Sequence, residues 1–258
     1  MATQWIAFPY ADRVYDYAGA ALRKAWSRLH RGDHESFPKD AAVADAWRLF
    51  HAGRFQDAVA AGQTARNAGI HAAVKAQCVH AHHLEADAKR KVALFAEAVD
   101  WAAERRATAP GDANAHYLYA FALCRYGQGI SVAKALAQGF GGKIRDALTR
   151  AVELDAAHAE AAAAFGAYQS EVIAKVGPLV AGLTYGAKKE SALQSFERAV
   201  AAFPESPIVH IEYANGLILL FDQARIADAT RLYEQAAAAS PADAMERLDV
   251  EFAKRELA

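Results

Sequence analysis

The sequence predicts an all-α protein: a solenoid of about five helix pairs, with a flanking helix before the array and a capping helix after it. Three observations carry this. Alanine supplies about a quarter of the chain, far above ordinary usage, and it favours helices that approach closely. No stretch alternates apolar and polar residues for long enough to make a strand. One spacing of small residue, aromatic, small residue and proline recurs along the chain.

Residues 1–38 form an N-terminal segment. Within it, Val14, Ala18, Ala21, Leu22, Ala25 and Leu29 fall at helical spacing with Trp26 beside them. The stripe predicts a helix over 10–30 that covers the first pair. The array follows over 39–241, with first helices expected at 39–51, 70–88, 112–126, 157–172 and 206–221. The second helix is clearest in Glu190–Pro207, where Ala192, Phe196 and Ala199 share a face and Pro204 ends the helix. Small residues there let two helices approach, and the aromatic fills the gap between units.

The pattern recurs as Ala229, Tyr233, Ala236 and Pro241, and as Ala151 with Leu154, Asp155 and Ala156. Ala98 and Pro110 hold their places in another unit, although Arg105 replaces the usual small residue. Gly53, Phe55, Ala58 and Ala65 mark the turn and second helix of the first pair. Two insertions lengthen the middle units beyond roughly thirty-four residues, at 127–143 and 170–189. Both mix glycine with apolar residues, so both are expected to pack on something. Residues 242–258 carry Glu246, Arg247, Asp249, Glu251, Lys254, Arg255 and Glu256, the polar face a capping helix needs. The whole reads as one continuous domain.

On these residues the chain resembles the tetratricopeptide-repeat superfamily. From Ala113 to Ala239, the order of insertion, IRDALTRAVELDAAHAEA, AAAAFGAYQSEVI, second insertion and SALQSFERAV is similar to one subgroup. That subgroup contains the helical-repeat lipoprotein associated with TRAP transporters and the regulator of microtubule dynamics family. The resemblance implies a helical solenoid and a partner-binding role, with no catalytic signature.

Groove-lining positions of the first helices then give Asn114, Tyr117 and Phe121, with Cys124, in one unit. The next gives Glu160, Ala163, Ala167 and Ser170, and the last gives Ile208, Ile211, Asn215 and Ile218. A carboxylate clamp needs Lys or Arg one turn before Asn215, where Ile211 stands, so the groove suits an apolar segment or ligand.

Formal charge is -1, and without a basic footprint no nucleic-acid partner is expected. No membrane span is expected, since no apolar run has the length. With two cysteines and no basic n-region or apolar h-region at Met1 to Tyr10, the expected setting is cytoplasmic with reduced thiols. Cys78, His80, His82, His83 and Glu85 are the densest candidate ligands, but HEXXH and CXXC spacings are absent and no metal site is assigned. The glycines at 127–129 and 139–142 lack the preceding strand of a phosphate loop. No catalytic residue is assigned, and no cofactor is expected. The function expected is a non-enzymatic scaffold binding a protein segment through its concave face. Its alternatives are a small apolar ligand held between array and insertions, or a self-associating component that forms a homo-oligomer.

Overall fold

Helix starts are written in the short polar residues that precede them. The computed structural model describes residues 5–10 and 15–258. After α1 (Ala20–Leu29), the carboxylate of Asp40 accepts the Ala42 amide and opens α2 (Ala41–His51). The antiparallel α3 (Phe55–Ala65) follows, then α4 (Gly69–His83) and α5 (Ala88–Thr108), the last capped by Asp87. Asp112 caps α6 (Ala113–Ile130), and Ser131 caps the short α7 (Val132–Ala137) before α8 (Phe140–Leu154). His158 caps α9 (Ala159–Val176), whose continuation is α10 (Pro178–Val180) and a π-helical turn, Ala181–Tyr185. Then come α11 (Lys189–Ala202), α12 (Pro207–Phe221), a 3₁₀ turn, α13 (Ile226–Ala238) and α14 (Ala244–Glu256). Ser206 and Asp243 cap α12 and α14.

The architecture is thus all-helical among the described residues, and the pairs α2–α3, α4–α5, α6–α8, α9–α11 and α12–α13 are those expected. Each second helix packs on its own first helix and on the first helix of the next unit, the last of them on α14. Helix α1 is shorter than the expected 10–30, because Tyr15 to Gly19 are not helical; Val14 lies outside the described residues. The stretch 127–143 is mostly helical, divided among the end of α6, α7 and the start of α8.

Phe196 explains why small residues recur in this array. Its ring is fully buried between α9 and α12. A Cβ at Gly166 would lie 2.8 Å from the ring, and one at Gly216 would lie 2.4 Å from it. Two glycines on neighbouring first helices therefore form the slot that this aromatic fills, and Tyr213 stacks on it at 4.9 Å.

The array curls until its two ends meet. Ala244 and Leu248 of α14 belong to the same core as Trp47 and Phe50 of α2 and Trp26 of α1. Arg28 grips Glu246 through two bonds of 2.6 and 2.9 Å, His51 bonds Asp243 at 2.7 Å, and Tyr17 donates to the Ala242 carbonyl. The charged α14 therefore does more than present a polar outer face, since Glu246 and Asp249 point inward and are buried.

The slot makes a measurable demand. Helix propensity alone favours Gly216→Ala by about 1 kcal/mol. Here the substitution is expected to destabilise by about 1–3 kcal/mol, because the ring must move. Phe196→Ala is expected to cost about 3–5 kcal/mol, and adding Gly216→Ala to it should cost nothing further. Denaturant unfolding of the three variants checks this.

Candidate functional site on the concave face

The chain leaving α1 runs across the first helices as a strap, from His30 to Phe37. Ion pairs and hydrogen bonds hold it there. The Gly32 carbonyl accepts the Glu160 amide at 3.0 Å. Asp33 takes the Lys75 ammonium at 2.7 Å and His30 Nδ1 at 2.8 Å. Lys75 reaches on to Glu160 at 2.9 Å, so one cation from α4 ties the strap to α9. Glu35 accepts from His71 Nδ1 at 2.8 Å and from Asn114 at 2.9 Å, while its carbonyl takes the Trp26 indole N–H at 2.6 Å.

Lys75 is 5% exposed in its side chain, and Asp33 only 3%. Burial alone would discharge the ammonium, but Asp33 and Glu160 overcome that and hold its pKa above the usual lysine range. Burial would likewise raise Asp33, yet Lys75 and His30 keep it well below the usual carboxylate range. Glu160 stays raised by its burial, with Lys75 opposing. His158 accepts the Ala161 amide at Nδ1 and donates from Nε2 to Asn114 at 2.9 Å. Burial pushes its pKa down to about 4. A further proton on Nδ1 would also break the cap of α9.

Beside the strap, the concave face holds an apolar cavity of about 100 Å³. Its walls include Tyr117, Phe121, Ala163, Ala167 and Tyr168 from α6 and α9. Val132, Leu136 and Phe140 close one side, so the first insertion forms part of the wall. Tyr185 of the second insertion packs against Gly141, where a Cβ would stand 2.6 Å from the ring, and so buttresses that wall. Charged groups sit among these walls in pairs. Arg125 bonds Glu212 at 2.9 Å, Gln128 bonds Glu171 at 2.5 Å, and His83 meets Asp249 at 3.1 Å. Burial raises both Glu171 and Asp249, while the nearby Arg125 charge and then burial lower His82.

The expected groove residues divide four ways. Tyr117, Phe121 and Glu160 line the cavity, as do Cys124, Ala163, Ala167 and Ile208. Asn114 lies under the strap, bonded to Glu35 and His158. Ile211 and Asn215 face away: Ile211 is buried in the α12–α13 core, and Asn215 accepts from Tyr233 of α13 at 2.6 Å. Ile218 is exposed near the end of α12. Reading by position missed Lys75, Arg125, Glu171, Glu212 and Met245, which also border the cavity. A groove reading of α4 would have found Lys75, four residues after His71. Glu35 and Asp33 lie in a stretch with no periodicity to expose them.

The histidine-rich run does not converge. Cys78 is buried in the core, with its thiol pKa pushed up to about 12 by burial. His80 is buried and stacks on Trp5 at 4.1 Å, pushed down to about 4, and Glu85 turns to the Asp87 amide and Arg90. His82 and His83 border the cavity. No three His, Cys, Asp or Glu side chains among the described residues are grouped to hold a metal ion.

No protein-family model matches the chain, and no curated protein matches it. The fold is similar to that of TTC0263, a thermophilic tetratricopeptide-repeat protein from Thermus thermophilus, with a TM-score of 0.56. The two chains are 15% identical, and the match covers 83% of this chain and 97% of the other. The likeness is one of fold.

Two outcomes test the electrostatics of this face. Lys75→Met leaves Asp33 and Glu160 buried without their cation and is expected to cost about 3–5 kcal/mol. Adding Asp33→Asn and Glu160→Gln should recover most of that loss in thermal or urea unfolding. The second outcome concerns acid. Unfolded histidines titrate near pH 6.5, whereas His158 and His80 in the folded chain wait until about 4. Between those values the unfolded state binds protons that the folded state refuses, so both groups make stability fall as pH falls. His158→Asn keeps a capping oxygen and should flatten that fall, measured by urea midpoints across the window.

Proposed function

We propose that the chain is a non-enzymatic interaction module that holds a protein segment on its concave face by one large apolar side chain. The observation that carries this is the cavity itself: apolar walls, paired charges, and a volume of about 100 Å³. That volume suits a ring or a branched aliphatic group, not a whole helix. A single buried anchor among near-neutral contacts is the usual source of affinity in such interfaces. The strap fills the neighbouring part of the face, which limits the segment to the stretch beside α6, α9 and α12.

The charges fit this role better than catalysis. Arg125, Glu212, Glu171, Asp249 and His83 are engaged with each other or with Gln128, and the cavity presents no nucleophile held by a base. The expanded tetratricopeptide subgroup is supported by the two insertions that wall and buttress the cavity. A cytoplasmic setting is supported by Cys78 and Cys124, both free thiols. A second reading, a small apolar molecule as the occupant, is favoured by the way α7 and the strap flank the cavity.

Ala167 borders the cavity on α9. Ala167→Phe is expected to fill the space and leave the melting temperature within a few degrees of wild type. Peptides selected from a random library on wild-type protein should share one large apolar residue and lose roughly tenfold or more in affinity for the variant. Selected peptides that bind both proteins equally would overturn the reading. An apolar fluorescent dye displaced by no peptide, yet lost in the variant, would favour the small-molecule occupant instead.

A further inference from the structure

The second insertion carries an apolar tip that neither the core nor the cavity uses. Leu179 is 74% exposed, Leu183 82% and Val180 47%. The tip is nevertheless built on a fixed base. Ala181 and Ala187 are fully buried, Tyr185 is wedged against Gly141, and Gly177 and Gly186 take left-handed turns at φ 81 and 67 on either side. Apolar side chains on a firm, outward-pointing turn are exposed by the fold and not by fraying.

Basic residues outnumber acidic ones around the tip. Residues 171–190 contain Lys175, Lys188 and Lys189 against Glu171, which is bonded to Gln128, and the exposed Glu190. The adjoining stretch 128–145 contains Lys134, Lys143 and Arg145, with no Asp or Glu. Lys189 is spent on the Leu220 carbonyl at 2.7 Å, and Arg145 pairs with Asp146. Lys134, Lys143, Lys175 and Lys188 are exposed and make no ion pair among the described residues. In a chain with a net charge of -1, the two insertions, which touch through Gly141 and Tyr185, together carry four exposed unpaired lysines and three exposed aliphatic side chains.

We infer that this tip docks the protein on the surface of an anionic bilayer, with Leu179, Val180 and Leu183 among the acyl chains and the lysines against headgroup phosphates. A convex point of leucines needs no complementary groove when its partner is a lipid interface. Lysine stems lie along apolar surface while their ammonium groups reach phosphate, the arrangement this spacing provides. A second copy docking tip to tip would bring the same unpaired lysines together, which charge repulsion opposes. The contact is peripheral, since no described helix is long and apolar enough to cross a membrane.

Vesicle flotation tests this with the full chain. Wild type is expected to float with phosphatidylcholine vesicles containing phosphatidylserine, not with phosphatidylcholine alone, and to release as salt is raised. Leu179→Asp with Leu183→Asp should cut the bound fraction roughly tenfold or more with an unchanged melting curve, because both sites are exposed. Replacing Lys134, Lys143, Lys175 and Lys188 by Gln should remove the preference for phosphatidylserine. Three results overturn the proposal: no flotation of wild type, flotation indifferent to phosphatidylserine, or a leucine variant that floats like wild type. Sedimentation showing that the leucine variant only converts an oligomer to a monomer, without vesicle binding by wild type, would assign the tip to self-association and overturn it as well.

Discussion

A lysine ammonium almost wholly removed from water is tolerable only where carboxylates surround it, and Lys75 sets the terms for the concave face. Its two partners come from distant parts of the chain, Asp33 on the strap and Glu160 at the start of α9. Neither carboxylate is well placed without the cation, and the cation would be discharged without them. The triad therefore fixes the strap against α4 and α9 at once. The Glu35 contacts to His71 and Asn114 extend that hold across α4 and α6.

The same interaction decides what remains of the groove. An open array would offer its whole inner face to a partner. Here the polar stretch under the strap is satisfied internally, from His71 through Asn114 to His158. The uncovered part is the apolar stretch beside it, where alanines 163 and 167 leave space next to Tyr117 and Phe121. The shape of this face thus follows from a division of labour. Buried charges orient the strap, and small residues make the cavity.

The fold was legible because its rules are local. Capping residues such as Asp112 and Ser206, the proline at the start of α12, and the Ala192–Phe196–Ala199 spacing all act within a turn or two. The slot for Phe196 needs glycines at 166 and 216, which stand 8 residues after the His158 cap and 10 after the Ser206 cap, so the spacing of the units does not reveal it. The site was legible only in part. Tyr117, Phe121 and Glu160 follow from register within one unit. The strap obeys no period, and its partners are far along the chain, 36 residues from Glu35 to His71, 42 from Asp33 to Lys75 and 79 from Glu35 to Asn114, so single-sequence patterning carries no trace of it. Ile211 and Asn215 were misplaced for a related reason. Position within a repeat assumes the same surroundings in each unit, whereas α12 turns those residues toward α13.

Closure of the array changes how these parts depend on one another. In a linear solenoid each unit contacts only its neighbours, and the inner face flexes as the stack bends. Here α14 joins the core of the first pair, and Arg28, His51 and His83 each meet a carboxylate of α14 or its cap. Asp249 of α14 and Met245 beside it also border the cavity. The cavity is consequently framed by the first units, the middle helices and the last helix together. Under the proposed function, a segment entering it would meet walls already positioned, which lowers the ordering cost of binding. The two insertions divide the remaining work: one supplies wall through Val132, Leu136 and Phe140, and the other braces it through Tyr185 against Gly141 while its leucines stay exposed.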